Sequence, residues 1–383
     1  MKILTFLFSL LFISFGINAQ ESLVKNVPFT NIGPAIMSGR VVDIDVNPEK
    51  PTEFYVGYAS GGVWYTNNNG TSFTPIMDSA ETINVGDIAV DWKNGTIWVG
   101  TGESNSSRSS YAGIGVLKSV DKGKTWINTG LKNSQHIGRI IINKNNPDEV
   151  VVGAVGSLYT PNKERGIFKT IDGGKTWKNV LFINENTGVI DVSVSPINAN
   201  VLFAASWERN RKAWNFKGDG EGSAIYKSED AGTTWVKITT EKSGFPTGKG
   251  VGRIGLAAFD NNVIYALLDN QNMRPAKKKE EVVGLKKDDF KSMSQNEFLK
   301  LNDKDLNSYL KENRFPKKYT SEKVKKMVKN KTIQPIDLAS YLEDANYTLL
   351  NSEVIGAEVY KSEDGGKTWK KTHKNYLDDV YSS

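Results

Sequence analysis

The residues of this chain whose types and spacing could do chemistry sit at the ends of apolar stretches. Arg40, Asp87, Arg139, Gly188 and Arg253 fall in one position when "RVVDIDV", "GDIAVDW", "GRIIIN", "VIDVSV" and "GRIGLAAF" are laid over one another. Three guanidinium groups at one level suit a carboxylate ligand, because the planar fork meets it at two points. Alternatively, each arginine pairs with an aspartate of a neighbouring repeat, such as Asp87, and serves the fold. Loops nearby add His136 in "SQHIGR", Glu103 in "GTGES", and Trp207, Glu208, Arg209, Arg211 and Trp214 in "SWERNRKAW". Glu103 and Glu208 are the candidate acids for glycoside hydrolysis, which needs two carboxylates about 5–10 Å apart. Composition closes other routes. The 383 residues hold no Cys and two His, His136 and His373. Thiol chemistry, disulfides and a His-rich metal site are therefore excluded, and no cofactor or metal is expected.

The elements that position these residues repeat along the chain. Each unit starts with one of the apolar strands above, followed by a turn such as "NPEKPTE" or "SPINANV" and a second strand such as "FYVGYA" or "LFAASW". A third strand ("GGVWYT", "GVLKS", "GIFKT", "AIYKS", "EVYKS") leads into a box of Ser/Thr-x-Asp-x-Gly-x-Thr-Trp type, and the box Trp opens a fourth strand. The boxes start at Thr66, Ser119, Thr170, Ser228 and Ser362, at spacings of 53, 51, 58 and 134 residues. Four antiparallel strands repeated in series, at about 40–50 residues per unit, form an all-β propeller. Blades are expected at 31–80, 84–133, 137–184, 188–242 and 250–272 continued by 354–375, with helices in the insertion alone.

The box lies between strands three and four, so it reads as a hairpin turn. An Asp carboxylate there accepts backbone N–H groups, Gly supplies geometry that a Cβ forbids, and Trp buries a large ring against a neighbouring blade. The structural pairs are Asp121 with Trp126, Asp172 with Trp177, Asp230 with Trp235, and Asp364 with Trp369.

These stretches resemble Asp-box repeats, also called bacterial neuraminidase repeats. With "NIGPAIMSGRVVDIDVNP", "ASGGVWYTNNNG" and "ERGIFKTIDGGKTWKNVLF", the chain is most similar to secreted sortilin-like propellers of bacteria. More distantly it resembles the two-propeller xyloglucan-hydrolysing glycosidases. The first resemblance implies capture of a peptide, protein or polysaccharide ligand in the propeller channel. The second implies hydrolysis, with a catalytic Asp just after the second strand of the first blade. That place holds Ser60, in "YASGGVW", which favours the binding module over the enzyme. Sortilin-like rings have ten blades, and five units are visible here. The expectation is an N-terminal part of a larger ring, continued after residue 383.

The ends and the insertion differ in character. Residues 1–19 have one Lys, an apolar run and Ala19 before Gln20, as a signal peptide does. The expected location is secreted or periplasmic, with no membrane span after cleavage. Residues 20–272 and 351–383 carry the propeller, and residues 273–350 a Lys-rich helical insertion. From Met273 to Leu350 there are 18 Lys or Arg and 12 Asp or Glu, an excess equal to the net charge of +6 for the whole chain. Acids interleaved with the lysines argue against nucleic-acid binding and for a solvated helical excursion over one face of the propeller.

Overall fold

The computed structural model describes residues 39–107, 110–275, 284–313, 315–341 and 354–377. The expected signal peptide, the strand expected in "KNVPFTNIGP" and the expected break after "NYLDDVYSS" lie outside the described residues, save for Asn375–Leu377.

Five four-stranded antiparallel sheets follow one another, each in simple sequence order. The first holds β1 (Val41–Val46), β2 (Phe54–Tyr58), β3 (Gly62–Thr66) and β4 (Thr74–Pro75). The second holds β5 (Val85–Asp91), β6 (Thr96–Thr101), β7 (Val116–Ser119) and β8 (Ile127–Gly130). The third holds β9 (Ile137–Ile142), β10 (Val150–Ala154), β11 (Gly166–Thr170) and β12 (Lys178–Leu181). In the fourth, β13 (Thr187–Ser195) and β14 (Asn198–Glu208) are followed by a separate hairpin, β15 (Asn210–Arg211) with β16 (Phe216–Lys217). Then β17 (Ala224–Ser228) and β18 (Val236–Lys237) complete that sheet. The fifth holds β19 (Val251–Ala258), β20 (Ile264–Met273), β21 (Val354–Ser362) and β22 (Lys370–Lys371). The first strands abut in the order β1, β5, β9, β13, β19, as the blades of a propeller do around their axis.

The core lies between blades. Tyr55 and Val63 of the first blade meet Val85, Ile88 and Leu117 of the second. Trp98 and Val116 meet Ile137, Val152 and Phe168. Val151 and Ile167 meet Val189, Leu202 and Tyr226. Phe203 and Ile225 meet Ile254, Leu268 and Trp369. A middle blade is therefore apolar on both faces, which is why β10 reads Val-Val-Val-Gly-Ala without polar alternation. Glycine lets the inner strands come this close: a Cβ on Gly86 would stand 2.2 Å from the Ile137 carbonyl oxygen, and one on Gly138 2.5 Å from that of Ile190.

The repeated boxes are hairpin turns between strands three and four. In the second blade the Ser119 hydroxyl donates to Asp121 (2.8 Å) and accepts the Gly123 N–H (2.8 Å). Asp121 also takes the Thr125 N–H (2.9 Å) and hydroxyl (2.6 Å). The same four bonds recur around Asp172, Asp230 and Asp364. In the first blade Asn68 takes the Asp place, and its Oδ1 accepts the Ser72 N–H (3.0 Å). These donors, led by the Thr125 hydroxyl, hold the Asp121 carboxyl down at about 2.

Two box tryptophans bridge blades: Trp126 Nε1 donates to Ile76 O (2.9 Å) and Trp177 Nε1 to Thr129 O (3.0 Å). Trp235 and Trp369 donate to a glycine carbonyl of their own turn. Trp369 alone of the four is fully buried.

The insertion is helical and builds a core of its own. It forms α1 (Asp289–Ser292), α2 (Gln295–Leu299), α3 (Asp303–Glu312), α4 (Ser321–Lys329) and α5 (Pro335–Tyr341). Phe290, Phe298, Leu306, Tyr309, Leu310, Val324, Val328 and Leu338 pack into a core of their own. A Ser294–Glu297 capping box starts α2. The insertion leaves and rejoins the fifth blade at strand ends that pair, Met273 with Val354. Among the described residues a single 3-10 turn, Lys132–Ser134, is the helical element outside it, and no helix is long and apolar enough to cross a membrane.

Trp369→Ala should cost about 3–5 kcal/mol, as loss of a fully buried aromatic does. Trp126→Ala, Trp177→Ala and Trp235→Ala should each cost less, because those rings keep partial exposure. Urea unfolding of the four variants checks the order; a larger loss at Trp126 than at Trp369 would contradict it.

Candidate functional site

Cross-strand register decides which residues face the channel together. Asp43 pairs with Gly57, Asp87 with Gly100, Arg139 with Gly153 and Asp191 with Ala205. Each immediately precedes an apolar residue (Ile44, Ile88, Ile140, Val192), and Arg253 precedes the equivalent Ile254. The shared level therefore holds Asp43, Asp87, Arg139, Asp191 and Arg253. Arg40 and Gly188 lie three residues away from it. The strand starts carry bulges, which an overlay of strand beginnings does not see.

Arg139 is the hub of this level. Its Nη1 lies 3.0 Å from Asp87 and 3.6 Å from Asp43, and its Nε 3.0 Å from Asp191. Three carboxylates, Asp87 foremost, raise its pKa and hold it charged. The carboxylates have a second duty. Asp87 accepts the Ile140 N–H (2.6 Å), Asp191 the Leu256 N–H (2.8 Å), and Asp45 the Val90 N–H (2.8 Å). Each belongs to the blade before the strand whose N–H it accepts. Burial pushes Asp45 up to about 6 although Trp92 Nε1 also donates to it (2.6 Å).

A second cluster lies at the strand ends. Arg209 is fully buried: Nη1 donates to Asn105 O (3.1 Å) and Ser106 Oγ (2.8 Å), and Nη2 to Gly156 O (2.9 Å). Its Nε has no partner, and no carboxylate forms an ion pair with it among the described residues. Burial, then the neighbouring Arg165 and Arg253, push its pKa well below the usual arginine value. Arg165 is held the same way, donating to the carbonyls of Val155, Ser157 and Thr160, and burial lowers it to about 10. Arg253, half-buried, donates to Asn105 Oδ1 (2.8 Å). Arg209 and Arg253 both lie over the Trp207 ring, at 5.4 and 5.7 Å. Asn105 thus joins the second blade to the fourth and fifth.

Glu103 and His136 border this cluster. The buried Glu103 carboxylate takes Arg40 Nε (2.8 Å) and a second Arg40 bond from Nη2, while its Oε2 is unpartnered. His136 donates Nδ1–H to Glu103 O (2.7 Å). Burial, helped by Arg209, drives His136 down to about 3. Glu208 accepts the Gly222 N–H (2.9 Å) and lies 4.0 Å from Lys217. No contact among the described residues joins Glu208 to Glu103. Arg211 and Trp214 lie on the β15–β16 hairpin; Arg211 stacks over Phe216 (4.9 Å) and Trp214 is 83% exposed. Ser60 occupies the turn between β2 and β3. Among the described residues no group of three or more His, Asp or Glu is placed to hold a metal ion.

Sequence reasoning missed Arg165, Asn105, Asp43, Asp45 and Asp191. Asp43 and Asp191 carried a signal, since each stands in the alternating strand itself. Arg165 and Asn105 carried none: each is one polar residue in a polar loop.

Four-stranded antiparallel sheets that follow one another around an axis define a β-propeller. The sequence profile of the Sortilin-Vps10 family, described as "Sortilin, neurotensin receptor 3", matches residues 115–356. The chain belongs to that family. No curated protein matches it. Among solved structures it is similar to the GH74 xyloglucanase from Xanthomonas campestris, at 12% identity and a TM-score of 0.48, over 86% of this chain and 38% of that one. The GH74 enzyme of Niastella koreensis gives 16% identity and 0.48, over 86% and 38%. An ancestral GH74 enzyme gives 18% and 0.45, over 63% and 32%. The chain thus spans about a third to two-fifths of the length of these structures.

Two variants test the ionic level. Arg139→Gln should lower stability by about 2–4 kcal/mol, near the low end for breaking a buried pair, because a third of the side chain meets solvent. Protonation gives a second, signed test. Between about pH 4 and 6 folded Asp45 holds a proton that the unfolded chain has released, so its contribution to stability falls as pH rises. Folded His136 stays neutral down to about pH 3 while the unfolded chain takes up a proton below about 6.5, so its contribution falls as pH falls. Asp45→Asn should therefore steepen the drop in Tm between pH 6 and 4, and His136→Gln should flatten it. Thermal melts across that range would show parallel slopes if either assignment were wrong.

Proposed function

We propose that this chain is a sortilin-like, exported ligand-binding module, whose Asp-box propeller takes an acidic group of a peptide or glycan at the channel mouth beside Arg253. Arg209 carries this reading: a fully buried guanidinium with neutral oxygens as partners and a free Nε. A buried charge normally has a counter-charge or ligand, because desolvation is otherwise unrepaid. Arg253, nearer solvent, and Arg165 add to the positive potential, and Asn105 holds the arrangement together. Family membership supports ligand capture, since the family's description names a neurotensin receptor. Hydrolysis finds less support: the Glu103 carboxylate is taken up by Arg40 and that of Glu208 by the Gly222 N–H.

Arg209→Gln should leave the Tm unchanged or raise it, because a buried charge without an acidic partner is removed. It should also abolish the Tm shift produced in the parent by an acidic peptide or oligogalacturonate. A destabilisation of about 3–5 kcal/mol, with no ligand shifting either protein, would make the cluster architectural and overturn the reading.

A further inference from the structure

The β15–β16 hairpin has features that the fold does not use. Its tip closes by Lys212 N–H to Asn215 O (2.7 Å) and Phe216 N–H to Asn215 Oδ1 (2.9 Å), so it is a formed structure. It stands on the blade through Phe216, which meets Trp207 edge-on at 6.4 Å. Trp207 is fixed in turn by its Nε1 bond to Gly218 O (2.7 Å). Trp214 is on that tip and is 83% exposed, an unusual placement for the largest side chain. Residues 209–217 contain Arg209, Arg211, Lys212 and Lys217 and no acid. Arg211 covers Phe216, and its buried Nε has no acceptor.

We propose that the Trp214 hairpin is a binding site for an acidic polysaccharide. The flat apolar face of a sugar ring covers the indole, and the carboxylates of a uronic-acid chain meet Arg211, Lys212 and Lys217. Cations on both sides of one exposed ring match a polymer that presents a charge on each residue. A lipid surface fits less well: the tip offers one exposed Trp among Asn210, Asn215 and lysines, without the broad apolar face that inserts into a bilayer. The site deepens the binding-module reading but uses residues outside the channel mouth, so the two are separable.

The test uses the full chain with polygalacturonate, neutral dextran, phosphatidylglycerol vesicles and oligo-dT as probes. The parent should bind polygalacturonate and not dextran, and lose binding in high salt. Trp214→Ala should weaken polygalacturonate binding by about tenfold or more with no change in melting, Trp214→Phe should recover much of it, and Arg211→Gln should weaken it too. Loss in Trp214→Ala with retention in Arg253→Gln upholds the hairpin site and removes the channel mouth from polysaccharide binding. Retention in Trp214→Ala overturns the hairpin site, and so does failure of the parent to bind polygalacturonate. Tighter Trp214-dependent binding to vesicles or oligo-dT overturns it in favour of those ligands.

Discussion

The first strand of every blade is an edge. Among the described residues no strand pairs with its axial side, and a donor left unmet when blades close over it costs about as much as a lost hydrogen bond. The chain meets this need with side chains of the blade before. Asp45, Asp87 and Asp191 accept the N–H groups of Val90, Ile140 and Leu256, and Ser193 accepts that of Ala258. Arg139 then bridges three carboxyl groups gathered at the axis. Blade packing, ionic pairing and backbone satisfaction are thus one arrangement. It also explains why Arg139 is poorly placed to receive a ligand: its charge is already answered.

The two arginine clusters differ in that respect. At Arg139 acids surround the cation. At Arg209 and Arg165 neutral carbonyls do, and burial lowers both arginine pKa values. The difference comes from where the chain crosses. Asn105 and Ser106 leave the second blade and reach the fourth and fifth over the strand ends, bringing polar atoms without charge. A propeller that wanted only rigidity there would be served by an apolar contact, since buried ionic groups rarely exceed a well-packed apolar replacement.

Legibility in the sequence followed the range of the interaction. The turns were readable because all four bonds of each lie within about seven residues, so spacing alone carries them; Asn68 fits by presenting the same Oδ1. Blade order was readable because strands recur at near-constant intervals. The axial level was misread at Arg40 and Gly188, since bulges move the register without changing the look of the strand. The core of the insertion was hidden for a related reason. Phe290, Phe298, Leu306 and Val324 are single apolar residues in separate short helices, and Lys-rich flanks outweigh them in composition. Arg165 and Asn105 become meaningful only once the blades are closed up.

The insertion bears on how the fifth blade holds together. Its second and third strands pair from Ile264 with Ser362 out to Met273 with Val354, about 80 residues apart at the far end. Loop-closure cost grows slowly with length, and a segment with its own apolar core shortens the effective loop further. Blade and insertion can therefore coexist without either supplying the other's packing, as the separate apolar clusters indicate. The excess charge of the chain sits in the insertion for the same reason: its lysines cover a small helical core, where solvated cations cost little. The propeller, near neutral in sum, gathers acids around Arg139 at the axis and neutral oxygens around Arg209 at the strand ends.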